Sequence, residues 1–136
     1  MSQAATDTPT GEQDVVLLTV PADVNYLAVL RTATAGLAAR MQFALDEIED
    51  LRIAVDEACA MLLTVAVPDA ELACRFVMLA DALIIEVTVA TVRQARLPAQ
   101  SSFAWRVLTA LTDEVSAERS DGRATIRLLT HRPDRP

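Results

Sequence analysis

Leu45-Asp-Glu-Ile-Glu-Asp-Leu-Arg-Ile-Ala-Val-Asp-Glu-Ala-Cys-Ala-Met-Leu62 is the stretch on which the reading of the fold turns. At 3.6 residues per turn, Ile48, Leu51, Val55, Ala58, Leu62 and Val65 fall on one face, the spacing of a helix packed on a core. Asp46 is the expected cap of that helix. Glu57 lies roughly opposite the stripe, and its neighbours one turn away along the same line are Ile53, Ala60 and Met61. A carboxylate set among apolar groups departs from the Lys and Arg company of a solvated helix face. Glu57 is therefore a candidate catalytic group, although its position alone also fits an exposed acid beside a hydrophobic edge covered by a loop.

Upstream, Val15-Val-Leu-Leu-Thr-Val20 reads as a strand stopped by Pro21, and Asp23 suits the N-cap of a helix running to about Arg40. Leu27, Leu30, Thr34, Leu37 and Met41 recur there at helical spacing, and a short link through Phe43 joins the two helices. Downstream of Pro68-Asp69 the period changes to two. Leu72, Cys74, Phe76 and Met78, then Leu83, Ile85, Val87 and Val89, predict a β-hairpin turning at Ala80-Asp81. Thr91 to Ser101 is the one long internal loop. Ser101 or Ser102 can cap a third helix, with Phe103, Val107, Leu111 and Val115 as its buried stripe and Trp105 at the stripe's edge. Ser120-Asp-Gly-Arg123 carries the Asp-Gly signal of a tight hairpin between a short strand near Val115–Glu118 and Thr125-Ile-Arg-Leu-Leu-Thr130.

The element order is thus β-α-α-β-β-α-β-β. Short connections and one-sided stripes predict an α/β two-layer sandwich: a mixed, largely antiparallel sheet with its helices on one face. Residues 1–13 are small, polar and aperiodic, the pattern of a disordered tail; residues 14–132 form one domain, and 133–136 fray.

With 136 residues, 52% of them hydrophobic, the chain can enclose one core but not two. It has no apolar run of the roughly 18 residues that a membrane span needs, and its first residues lack the basic and apolar regions of a signal peptide, so a cytoplasmic location without a membrane partner is expected. A net charge of −7 disfavours direct contact with nucleic acid. All 12 basic residues are Arg; without Lys there is neither a P-loop lysine nor a lysine nucleophile. Cys59 and Cys74 stand apart from any second thiol or histidine at metal-ligand spacing and read as small buried hydrophobes. His131, the single histidine, has no obvious nucleophile or acid nearby in sequence and reads as a surface residue. The residues by themselves assign no cofactor-binding or metal site.

From about Val15 to Arg132 the chain resembles the anti-sigma factors that double as serine-protein kinases and share the histidine-kinase-like (GHKL) ATPase fold. Three words carry the resemblance: Asp46-Glu-Ile-Glu-Asp-Leu-Arg-Ile-Ala-Val-Asp-Glu57, Leu111-Thr-Asp-Glu-Val115 and Ala124-Thr-Ile-Arg-Leu128. The resemblance implies that Glu57 matches the general base for attack of a serine hydroxyl on ATP. The magnesium-binding asparagine one turn later is Met61 here, a soft thioether where Mg²⁺ requires hard oxygen; Asp56 or Asp50 are the conceivable substitutes. Where the family reads adenine with an aspartate followed by glycines, this chain has Ala90-Thr-Val-Arg-Gln94. Its phosphate box is Ser102-Phe-Ala-Trp105, and Gly11, Gly36 and Gly122 are the only glycines, so no glycine-rich cradle exists. Trp105 is expected to fill the space left in the nucleotide pocket.

The resemblance further implies that Arg31, on the first helix, binds both a sigma factor and its antagonist. The expected function is an anti-sigma factor that sequesters a stress- or sporulation-type sigma factor and is relieved by an anti-anti-sigma protein. It would act as a homodimer through its sheet or first helix, with ATP and magnesium use lost or weakened. The alternative is an active serine-protein kinase acting on that antagonist.

Overall fold

The computed structural model describes residues 13–132. Strand β1 is Asp14–Pro21, followed by a 3₁₀ turn at Val24–Tyr26 and helices α1, Leu27–Arg40, and α2, Leu45–Leu63. Strands β2, Glu71–Met78, and β3, Ala82–Ala90, form a hairpin; helix α3, Phe103–Leu111, precedes the hairpin of β4, Glu114–Ser120, and β5, Arg123–His131. This is the order expected from the sequence. The tail segments 1–12 and 133–136 lie outside the described residues.

The five strands stand in the order β1-β2-β3-β5-β4, and every pairing is antiparallel. The sheet is therefore not mixed: β2–β3 and β4–β5 are hairpins, the α1–α2 crossing brings β2 back antiparallel to β1, and the α3 crossing carries the chain to the far edge, so that β5 returns antiparallel between β4 and β3. Register sorts the side chains into two faces. Val16, Phe76, Ile85, Leu128 and Val115 form one cross-strand row, on the face toward the helices; Leu17, Arg75, Glu86, Arg127 and Ser116 form the adjacent row on the open face. Buried strand residues of the first face join Leu51, Val55, Ala58 and Leu62 of α2 in one continuous core. On the open face, Arg75 and Arg127 both reach Glu86, at 3.1 and 3.4 Å.

Helix termini explain how α1 and α2 are set side by side. Asp23 caps the 3₁₀ turn, accepting from the Asn25 amide, and the α-helix proper begins at Leu27. At the far end Gln42 takes a left-handed φ of 68°, the Phe43 amide donates to Ala38 O and the Gln42 amide to Ala39 O. These are the two bonds of a Schellman stop, here built without glycine. Helix α2 then starts at Leu45, one residue before the expected cap at Asp46. Its N-cap is Ala44, whose amide donates to Glu47 Oε1 at 2.6 Å, so the acid three residues into the helix reaches back in place of a capping side chain.

Helix α3 corrects the expected stripe. Ser102 caps it, accepting from the Trp105 amide at 3.2 Å, and Trp105 and Leu108 are the buried pair. Phe103 is 74% exposed and Trp105 only 6%. FAWRVLTAL is one-sided, with Arg106 and Thr109 outside; its buried arc centres on Trp105 and Leu108, which puts the indole, the larger surface to remove from water, inside and leaves Phe103 out.

Candidate functional site

Helices α1 and α2 lie against each other and present both candidate residues near one seam. Arg31, on the second turn of α1, reaches across to α2, and its Nη1 donates to Asp56 Oδ2 at 2.9 Å and Oδ1 at 3.1 Å. The two side chains are 34% and 37% exposed. Glu57 is the next residue along α2, half-buried, and forms no hydrogen bond or ion pair among the described residues. Asp56 is thus committed to an arginine and is not poised beside Glu57 as a metal ligand. The contact spans 25 positions in the chain, and no periodicity within either helix signals it.

Met61 also departs from expectation. It is 2% exposed and belongs to the core, while Ile53 and Ala60 on the other flank of Glu57 are exposed. Helix α2 touches α1, α3 and the sheet, which gives it a wide buried arc. Glu57 marks the edge of that arc: Met61, turned about 40° from it by four residues at 100° each, falls inside. Where the magnesium-binding group would be needed there is a buried thioether, which does not fit a hard cation. Among the described residues no three of His, Cys, Asp and Glu gather as a metal site.

The start of α3 is where the resemblance would put a phosphate. The amide of Trp105 is satisfied by Ser102 Oγ, and the loop leading to α3 contains no glycine. Side chains therefore stand where a phosphate would have to approach the backbone. Neither cysteine is a nucleophile. Burial, and then the Asp56 carboxylate, pushes the Cys59 thiol up to about 12; burial, with Cys59 close by, raises Cys74 well above its ordinary value. His131 is exposed at the end of β5.

A second feature borders the same helix. Leu18, Ala28, Val29, Thr32 and Ala33 line an open apolar cleft of about 550 Å³ between α1 and β1. β1 is an edge strand, and its Val15, Val16 and Leu17 are all exposed, Leu17 by 71%. The opposite edge, β4, carries Glu114, Glu118 and Arg119 instead. Charge on an edge strand discourages further pairing; β1 has none between Val15 and Pro21. The sequence marks β1 as a strand but not as an edge, since strand order is not written in any local pattern.

No family model matches the chain. It is 38% identical over 108 residues to the anti-sigma-F factor RsbW of Mycobacterium tuberculosis, covering 79% of this chain and 63% of that protein. Over 40 residues it is 52% identical to the serine-protein kinase RsbW of Bacillus thuringiensis, 29% of this chain and 25% of that one. The chain thus spans less than two thirds of the length of these curated relatives. With the antiparallel α/β sandwich and the α2 word in place, the similarity makes this chain a homologue of the anti-sigma factors and serine-protein kinases.

Proposed function

We propose that the protein is an anti-sigma factor that holds a stress- or sporulation-type sigma factor away from RNA polymerase in the cytoplasm. An anti-anti-sigma protein relieves it by competing for a surface that includes Arg31. The name of the mycobacterial relative supports the partner class. The observation that carries the reading is the contrast across the α1–α2 seam: Arg31 stays at the surface, whereas Met61 is turned into the core beside Glu57. A binding group is kept and a metal-binding group is absent. ATP use is accordingly lost or weakened, with Trp105 occupying space a nucleotide would take. The functional unit is a homodimer formed through the apolar edge of β1 and the neighbouring cleft on α1.

Calorimetric titration with purified sigma factors of the source organism, with and without Mg-ATP, tests this. Arg31→Ala is expected to weaken the complex by about tenfold or more, as loss of an interfacial arginine anchor does, with the melting temperature unchanged. An unchanged dissociation constant removes Arg31 from the interface. Mg-ATP is expected to alter neither affinity nor heat.

The serine-protein kinase reading has one observation in its favour: Glu57 is partly exposed and unpaired among the described residues, as a general base must be. Transfer of labelled phosphate from ATP to an anti-anti-sigma protein, abolished by Glu57→Ala, would establish it over the first.

A further inference from the structure

Arg31 is not a free cation. Both oxygens of Asp56 meet a single terminal nitrogen, Nη1, at 2.9 and 3.1 Å, so the contact is end-on and not the two-nitrogen fork of a bidentate pair. Nε and Nη2 make no hydrogen bond among the described residues. The guanidinium therefore has donors to offer, but its charge is already compensated. A carboxylate approaching the remaining edge would meet a neutral pair, with Asp56 beyond it and Glu57 one residue further along α2.

From this arrangement we propose that Asp56 is an internal competitor for the partner's carboxylate: Arg31 is stored against an acid of its own chain, and a partner gains it only by presenting an acidic side chain that displaces or outweighs Asp56. The inference rests on the reading of Arg31 as a partner contact. Exchange is cheap, because both groups are about one-third exposed and an ion pair of that kind has little net worth. It is also selective. A neutral or basic surface has nothing with which to unseat Asp56, so the pair discriminates against such partners without a steric barrier. Asp56 is then a specificity-determining residue of the interface that is itself not required for binding.

The test is a double-mutant cycle in the sigma-factor titration proposed above, at low and moderate salt. Asp56→Asn keeps an oxygen beside Nη1 and removes the charge. It is expected to tighten the complex about two- to fivefold, the range available to an exposed ion pair, and to do nothing in the Arg31→Ala background. Asp50→Asn, an exposed acid of the same helix, is expected to leave affinity unchanged. Weaker binding by Asp56→Asn would overturn the proposal, since Asp56 would then be orienting Arg31 for its partner. Equal tightening in both backgrounds would overturn it too, leaving only overall charge. If Arg31→Ala itself has no effect, the reading of Arg31 fails, and that outcome is separate from the two above. Asp56→Ser serves as a second variant should the asparagine form melt early.

Discussion

Individual side chains show where local pattern sufficed and where it did not. Cys59 and Cys74 were legible as small buried apolar residues, and both are buried free thiols. Their raised pKa values bear on stability in alkali. A thiol whose folded pKa lies above its unfolded value of about 9 favours the folded state fully below pH 9. Its contribution is lost as pH rises through the folded value of about 12 for Cys59. Between those limits the unfolded chain ionises and the folded one does not. The urea midpoint is expected to fall from pH 9 to pH 11 with a contribution of about 1.4 kcal/mol per pH unit from each thiol, and Cys59→Ala should flatten the fall. Met61 was less legible: four residues from Glu57 it falls near the same line, yet a turn of about 40° carries it across the boundary of burial.

For whole elements, the same substitution at two glycines should act with opposite sign. Gly122 holds φ +73° after Asp121 at φ 52° in the β4–β5 turn, a pair of left-handed residues that fits the twist of a two-residue hairpin. A Cβ there meets no atom within 4 Å, so Gly122→Ala carries only the backbone penalty, a loss of about 1–2 kcal/mol. Gly36 lies inside α1, where a Cβ also meets nothing, and Gly36→Ala is expected to gain about 0.5–1 kcal/mol from helix propensity. Paired urea titrations read both signs. The Asp-Gly turn was visible in the sequence because conformational demand there is local. The face of α3 was not, because the spacing 103, 107, 111 also fits a helical period, whereas the arc that packs on the core centres on Trp105 and Leu108.

In the molecule as a whole, the asymmetry between the two sheet edges is the main new fact. β4 is edged with charge and β1 with Val15, Val16 and Leu17. Leu17→Lys is expected to raise the dissociation constant of the proposed dimer at least about tenfold, or ~1.4 kcal/mol, because charge on an edge strand discourages further pairing. Sedimentation velocity over a concentration series reads this directly, and a species that sediments as a monomer before the substitution would remove the homodimer from the proposal.

Element order, the α2 core stripe, both hairpins, the scarcity of glycine and the thioether at position 61 were determined by the sequence alone. Each depends on residues within a few turns or strand positions of one another, where side-chain period and backbone preference act directly. Tertiary structure decided the rest: that every strand pairs antiparallel, that β1 lies at an edge, that Met61 and Trp105 face inward while Phe103 does not, and that Arg31 is held by Asp56. Those outcomes depend on which surfaces meet across long stretches of chain, and no residue carries that information in its immediate neighbours.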